Sequence, residues 1–420
     1  MASEQYKDQK RPLEYSKKQI DKAARSIRHS VIGEERKSAI TKIQSYREFH
    51  LYPLMLMKNH LARTARAVSP NAIVARRLKR LPTIINKLER PTLDGNSENA
   101  IKLTRMQDIA GCRAIVKNKK ELYQLKDKLE HSKSVHKIVR TQDYLTKPKD
   151  SGYGGLHLIY SCYEGLENTH PWKKASVEIQ LRTKLQHAWA TSLEIIDTLE
   201  SINLKTSITG HSDWRRFFSL AGKLIAHDEG LCIIDDEFDR LQLFKDLFVL
   251  EQNLEVISKL RKYNLAISLS DASDIPKSKR SGKGLFLILM EKANSSADGY
   301  SVSVEFFDRS KAEKALKRLN ESELDDTYIL SVLVSAEGVR SLRQAYPNYF
   351  GSSQDFIKFL NVHDKIYTNI MEKRAKEALK TLEEMKQNSK RMTEDEENMK
   401  RDLLAFLESL ENIRKETKND

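Results

Sequence analysis

The sequence predicts an α+β protein built around a mixed β-sheet, and three observations support that fold class. Residues 1–70 carry apolar residues three to four positions apart, the spacing of amphipathic helices. Residues 108–201 pass from strand to helix, through further strands and into a second helix. Residues 285–364 repeat a shorter series of strands and helices. Sheets with helices on their faces account for all three patterns.

Changes in composition divide the chain into successive segments. The linker among them is rich in Ser, Asp, Lys and Gly, as flexible connections are. The predicted segments are an N-terminal helical segment (1–70), a mixed-sheet domain (71–200), a helical connector (201–267), the linker (268–284), a small α/β module (285–364) and a charged helical tail (365–420). The tail has apolar residues at helical spacing, so its helices pair with each other or join two chains as a homo-oligomer.

The charge distribution predicts an anionic partner. The formal net charge is +14, and residues 58–90 hold nine Lys or Arg but one acidic residue. A solvated helix face usually mixes both signs, so this segment favours contact with phosphates. The longest apolar run, residues 285–290, is far shorter than a membrane span, and we expect no membrane partner. The N-terminus lacks a secretory pattern and three scattered cysteines lack metal or disulfide spacing, which predicts a cytoplasmic protein.

Two carboxylates are candidates for chemistry because each belongs to a predicted buried strand. Asp108 begins one strand and Glu178 lies inside another. A buried carboxylate is costly unless it is paired or binds metal, and Mg²⁺ accepts one or two carboxylates together with substrate phosphates. The alternative is simple ion pairing, of Asp108 with Arg105 or Arg113 and of Glu178 with Arg182.

The loop over residues 143–157 is a second candidate region. Lys149 precedes a glycine-rich turn, and glycines flank Tyr153, which leaves its ring free to stack on a base. The same glycines also suit a plain hairpin. His157 suits a phosphate contact or proton transfer, although a structural histidine is equally consistent with the pattern.

Four segments in order carry a resemblance to the synthetase domain of the RelA/SpoT family, the alarmone synthetases. They read ARRLKRLPTIINKL, RMQDIAGCRAIV, QDYLTKPKDSGYGGLH and VEIQLRTKLQHAWA, and they lie between residues 75 and 194. Several motifs in family order are more specific than any one of them. The resemblance implies a polymerase-β-type nucleotidyltransferase sheet and a pyrophosphokinase that uses ATP and Mg²⁺ to modify the 3′-hydroxyl of GDP or GTP.

The resemblance also implies a role for each matching position. Asp108 and Glu178 match the magnesium ligands, and Glu178 also matches the residue that activates the acceptor hydroxyl. The ATP-binding positions are matched by Arg77, Lys79, Lys87 and Arg113. The acceptor-binding positions are matched by Lys149, Tyr153, His157, Gln180 and Arg182.

Departures from the family pattern fall mainly on the acceptor side. Gly154 stands where a polar residue is common in the family. The sequence after AWAT lacks the family's usual His and Lys, and its Glu194 is shifted by one place. Arg76 replaces a frequent Gly in the basic motif. The 3′ end of tRNA and an adenosine nucleotide therefore stay as alternative acceptors to a guanosine nucleotide. A catalytically silent nucleotide-binding regulator stays as an alternative to an enzyme.

Overall fold

The fold is known from a computed structural model. It describes residues 9–89, 101–146, 149–166, 170–200, 202, 204, 210–234, 236–269, 283–292, 300–325, 327–337, 353–389 and 393–419. It confirms the α+β class with a mixed sheet.

Three helices form the N-terminal layer: α1 Lys17–Arg28, α2 Gly33–Phe49 and α3 Leu51–Arg66. The Ser16 hydroxyl accepts a hydrogen bond from the backbone N–H of Gln19, and the Gln19 side chain accepts one from the backbone of Ser16. This capping box sets the start of α1. Pro53 lies in the first turn of α3, where its missing N–H costs no helical hydrogen bond.

The main sheet has five strands in the order β1-β2-β5-β4-β3. Only the β2–β5 pair is parallel; the other neighbours are antiparallel. The strands are β1 Ile73–Leu78, β2 Ala110–Val116, β3 Lys137–Asp143, β4 Leu156–Ser161 and β5 Ser176–Thr183. The accompanying helices are α4 Leu81–Glu89, α5 Lys119–Glu130 and α6 Lys184–Glu200.

The two faces of this sheet differ in chemistry because side chains alternate along each strand. On β5, Val177, Ile179 and Leu181 are fully buried in the main core with α1 to α5. The residues between them, Glu178 and Gln180, face the opposite side together with Arg182. One face therefore holds the fold together, and the other is left for polar chemistry.

The remaining described elements complete two compact units. The first covers 1–232 and 258–355, and the second covers 233–257 and 356–420. Three helices follow the main sheet: α7 Ser212–Asp228, α8 Glu237–Leu254 and α9 Val256–Leu269. A three-stranded antiparallel sheet of order β7-β6-β8 is built from β6 Lys283–Lys292, β7 Tyr300–Asp308 and β8 Tyr328–Glu337, with α10 Ala312–Glu323. The last helices are α11 Gln354–Ser389 and α12 Glu394–Asn419.

Three details differ from the sequence expectations. Helix α11 runs through the boundary expected at 364/365, because no helix breaker lies between its ends. Residues 233–257, expected as part of one connector, group with 356–420. Strand β1 was not predicted, since Arg76 and Arg77 interrupt its apolar pattern. Most of the expected linker, and residues 338–346 of the helix expected over 337–346, lie outside the described residues.

Candidate active site

The strand register brings the motif residues onto the polar face of the main sheet. Arg77 of β1 pairs with Gly111 of β2, which in turn pairs with Glu178 of β5. Gln180 lies between Arg113 of β2 and His157 of β4. Residues from four strands, more than a hundred positions apart in the chain, therefore share one surface.

The first part of this surface is the lysine half, which we define as Lys79, Lys87 and Asp108. The Lys79 ammonium lies 2.8 Å from Asp108 Oδ2, and Lys87 Nζ lies 3.2 Å from Oδ1. Lys79 extends β1, donating its backbone N–H to the Ile109 carbonyl, and Lys87 comes from α4. The partners of Asp108 are thus these lysines rather than the arginines weighed from the sequence.

Charge keeps Asp108 ionised despite its burial. Burial alone would raise the pKa of this carboxyl group, but the neighbouring charges of Lys79 and Lys87, with their hydrogen bonds, lower the pKa below its ordinary value. Two cations on one carboxylate leave positive charge to spare. The lysine half therefore attracts an anion such as a polyphosphate.

The second part is the tyrosine half: Tyr153, His157, Glu178 and Arg182. Arg182 Nη2 donates to the Tyr153 hydroxyl over 3.0 Å, and that hydroxyl lies 2.5 Å from His157 Nε2. His157 Nδ1 lies 2.8 Å from Glu178 Oε1. With a neutral imidazole the hydrogen bonds run in one direction, from the guanidinium through the phenol and the imidazole to the carboxylate.

Glu178 is ionised for a different reason from Asp108. Burial would raise its pKa, yet the hydrogen bond from His157 and a 2.8 Å hydrogen bond from Gln180 Nε2 lower the pKa below the ordinary value. Asp108 is close enough to oppose this, raising the pKa of Glu178 through its negative charge. The two carboxylates are therefore close enough to influence each other's charge, and carboxylates are ligands that Mg²⁺ accepts together with phosphate and water.

Tyr153 does not have the freely presented ring that its flanking glycines suggested. Its hydroxyl is bonded on two sides, and the rings of Tyr144 and His157 meet it edge to face at 5.9 and 5.6 Å. Lys149 Nζ lies 4.4 Å from the ring centre of Tyr144 and 5.5 Å from that of Tyr153. A cation and aromatic rings thus gather at one end of the site, while the base-stacking role stays a prediction.

Arginines surround the two halves and repel one another. Burial and the neighbouring Arg182 and Arg77 lower the pKa of Arg113 to about 9. His187, whose Nδ1 lies 3.5 Å from Arg113 Nη1, is buried beside the same charges, which hold its pKa well below the ordinary value. Like charges this close favour binding of an anion that relieves their repulsion.

Helix α7 supports the loop that carries Tyr153, a role that sequence analysis missed. Gly152 has a left-handed backbone, with φ of 80°, and a side chain there would clash with the Phe218 carbonyl. A Cβ on Gly222 of α7 would lie 2.1 Å from the Gly152 carbonyl oxygen. The Ser219 hydroxyl donates to the Asp150 carbonyl over 2.7 Å. Small residues on both elements allow this close approach, which no local pattern reveals.

Glu229, at the end of α7, was also missed. Gln186 Nε2 donates to Glu229 Oε2 over 2.7 Å, and burial raises the pKa of Glu229 to about 7. Gln186 belongs to the quoted KLQHAWA segment, so that segment was the available signal. Its partner lies 43 residues away, in a stretch without a motif.

Fold and site together define a mixed-sheet protein whose polar face gathers two carboxylates among lysines and arginines, as proteins that handle nucleotide phosphates do. Among the residues that the structure describes, no helix is long and apolar enough to cross a membrane. Residues 76–195 match the family described as the region found in RelA/SpoT proteins, which agrees with the resemblance of the four sequence segments.

Named relatives agree with that assignment. The chain is 33% identical over 115 residues to the GTP pyrophosphokinase YwaC of Bacillus subtilis, covering 27% of this chain and 52% of the relative. It is 31% identical over 123 residues to the GTP pyrophosphokinase YjbM of the same organism, covering 29% and 54%. The chain thus spans about half the length of these curated relatives.

Solved structures show similarity over a larger share of the chain. The small alarmone synthetase 1 of Bacillus subtilis bound to its product pppGpp is 24% identical with a TM-score of 0.33, covering 43% of this chain and 90% of that one. A protein of Streptococcus mutans is 28% identical with a TM-score of 0.32, covering 46% and 97%.

Proposed function

We propose that the protein is a pyrophosphokinase that transfers the β,γ-pyrophosphate of ATP to the 3′-hydroxyl of GDP or GTP. The observation that carries this proposal is the electrostatic proximity of Asp108, in the turn before β2, to Glu178 of β5, among cations suited to a polyphosphate. The RelA/SpoT region and the relatives named GTP pyrophosphokinase support the same chemistry.

In this proposal the lysine half, with Arg77 and Arg113, receives ATP. Lys79 and Lys87 turn from Asp108 towards the phosphates, and the arginines hold the adenine between them. Asp108 and Glu178 would hold Mg²⁺, which when bound neutralises the charge that builds on the transferring phosphates. Positioning and charge neutralisation supply most of the rate, since phosphoryl transfer needs little covalent work from the protein.

The tyrosine half receives the acceptor nucleotide. Tyr153 would stack on the base, while Lys149, Gln180 and Arg182 hold the phosphates and ribose. The acceptor 3′-oxygen attacks the β-phosphorus of ATP. The bond between the β-phosphorus and the oxygen that bridges it to the α-phosphate breaks, and AMP leaves. The hydroxyl proton passes to Glu178, whose carboxylate is held ionised and oriented by His157.

The direct test is transfer of label from γ-labelled ATP, with Mg²⁺, to GDP, GTP, ATP or bulk tRNA in separate reactions. We expect label on GDP or GTP, and a loss of at least about 10³-fold in Asp108→Asn and Glu178→Gln. Asp127→Asn is the matched control, because Asp127 is an exposed carboxylate on α5. Label on tRNA alone, or on ATP alone, would retain the chemistry and replace the acceptor. Transfer that survives in both variants would contradict the site.

A further inference from the structure

Helix α10 of the small module is joined to the N-terminal layer by side-chain hydrogen bonds. Arg47 of α2 donates to Glu323, the last residue of α10, from Nη1 to Oε2 over 3.1 Å and from Nη2 to Oε1 over 3.2 Å. Arg47 Nη1 also donates to Asn320 Oδ1 over 3.3 Å, and Asn320 Nδ2 donates to Glu48 Oε1 over 3.4 Å. The module thus contacts a helix that lies 272 to 276 positions earlier in the chain.

The position of Glu323 is unfavourable for a carboxylate. The side chains of Arg47 and Glu323 are 4% and 2% exposed, and a buried ion pair is stable only if its geometry is good and its other hydrogen bonds are made. Glu323 also ends its own helix, where its charge meets the negative end of the helix dipole. A further contact must therefore compensate for both effects.

The start of α4 supplies that contact. Glu323 Oε2 accepts the backbone N–H of Leu81, the first residue of α4, over 3.3 Å. The N–H groups of a first helical turn have no partner within the helix, and the positive end of the helix dipole attracts a carboxylate. Pro82 has no N–H, and the helical series begins with the hydrogen bond from Ile84 to the Arg80 carbonyl. Glu323 therefore caps α4 from another element.

The capped residue lies between the two cations of the lysine half. Lys79 lies just before Leu81, and its backbone N–H donates to the Ile109 carbonyl over 2.7 Å. Lys87 follows Leu81 on α4, and both ammonium groups contact Asp108. The connection from β1 to α4 is therefore held at one end by the hydrogen bond of Lys79 and at the other by the carboxylate of α10. A shift of Leu81 would move both lysines relative to Asp108.

We propose that Glu323 is a positioning residue for the ATP side of the reaction. Through the N–H of Leu81 it fixes the β1–α4 connection, and so holds Lys79 and Lys87 in position for the ATP phosphates. Glu323 lies outside residues 76–195, the RelA/SpoT region, so the small module completes the ATP side of the site. This inference rests on the proposed function, because it assigns ATP to the lysine half.

Two variants separate positioning from stability. A double variant, Arg47→Met with Glu323→Met, removes the acceptor for Leu81 and leaves no unpaired buried charge. Apolar side chains of similar volume often replace a buried ion pair without loss of stability. Glu323→Gln does the opposite: its amide oxygen, placed at Oε2, still accepts from Leu81, while its amide nitrogen faces Arg47 Nη2 and loses that bond. Glu321→Gln, at an exposed carboxylate of α10, is the matched control.

The measurement is binding of ATP with Mg²⁺, without an acceptor, to the full chain by isothermal titration calorimetry. We expect the Kd to rise about tenfold in the double variant, the effect of losing one hydrogen bond to a charged group. Glu323→Gln and Glu321→Gln retain that bond, and we expect them to bind ATP as the wild type does. Loss of folded chain would lower the stoichiometry and leave the Kd unchanged. Urea unfolding should show that Glu323→Gln is less stable and that the double variant is folded.

Three outcomes count against the proposal. A folded double variant with the wild-type Kd overturns the positioning role. A Glu323→Gln chain that binds ATP as weakly as the double variant overturns it too, since affinity would then follow the ion pair and not the Leu81 contact. A wild-type chain that binds no ATP overturns this inference and the proposed function together. A chain that binds ATP as expected but transfers no label to any acceptor would refute the proposed function and leave the role of Glu323 standing.

Discussion

The lysine half and the tyrosine half of the polar face hold a carboxylate in opposite ways. Asp108 is held by two long ammonium side chains, mainly through charge. Glu178 is held by a chain of planar groups, in which imidazole, phenol and guanidinium are fixed by directional hydrogen bonds and ring packing. One half is suited to change partners, whereas the other is organised before a ligand arrives.

This difference matches the two substrates of the proposed reaction. A flexible ammonium group follows a polyphosphate as it moves, and it interacts as a point charge that salt screens. A rigid aromatic and imidazole group keeps an acceptor hydroxyl in one geometry, which contributes to rate only if the geometry persists. Changes in the lysine half should therefore appear in ATP binding and depend on salt, and changes in the tyrosine half should depend on shape.

The largest effect expected from this comparison is in the lysine half. Lys79→Met and Lys87→Met each remove a cation from the polyphosphate, and we expect kcat/KM for ATP to fall about 10²-fold. The arginine replacements should recover part of the loss, because they retain charge. Initial rates at low and high salt are the measurement, and Lys126→Met on α5 is the control. A variant that changes only the KM for the acceptor, and not kcat/KM for ATP, would contradict this division between the two halves.

A smaller effect is expected for the ring of the tyrosine half. Tyr153→Ala should raise the acceptor KM about tenfold or more, since stacking of a base on an aromatic ring contributes about 1–3 kcal/mol. Tyr153→Phe retains the ring and loses the hydroxyl between Arg182 and His157, so we expect a lower kcat with a smaller change in KM. Steady-state kinetics with varied acceptor separates the two parameters. A change in the KM for ATP in either variant would contradict the division of the site into two halves.

The packing of α7 against the loop that carries Tyr153 is tested by the free energy of unfolding. Gly222→Ala places a methyl group where the Gly152 carbonyl lies, and we expect a loss of about 1–3 kcal/mol, although alanine normally favours a helix over glycine by about 1 kcal/mol. Urea unfolding is the measurement. Gly154→Ala is the control, because its Cβ would make ordinary contacts with Gln186 at 3.6 Å. A more stable Gly222→Ala variant would mean that the loop does not depend on this contact.

The smallest effect is the pH dependence that Glu229 contributes. Its pKa of about 7 in the folded chain lies above the ordinary 4.5, so the folded state binds the proton more tightly than the unfolded state does. Stability from this group is therefore present below pH 4.5 and lost as the pH rises through 7. Comparing unfolding at pH 5 and pH 8, we expect Glu229→Gln to lose less stability between them than the wild type. Glu130→Gln, an exposed residue of α5, should retain the wild-type slope.

Much of the main domain follows from local pattern. The strands at 110–116, 137–143, 156–161 and 176–183 and the helices at 119–130 and 184–200 follow the series of strands and helices predicted over 108–201, because alternation and helical spacing are properties of short stretches. Strand β1 was missed, since its two arginines belong to the polar face and hide the strand pattern.

The sequence alone predicts the motif residues and their acidic and basic character, and it predicts that Asp108 and Glu178 share a site. The sequence did not predict which basic side chain pairs with which carboxylate. The choice of Lys79 for Asp108 and of His157 for Glu178 depends on the pairing of β1 with β2 and of β4 with β5. The support from Gly222 and Glu229 likewise required the folded chain, because contacts between residues far apart in sequence leave no periodic pattern in the sequence.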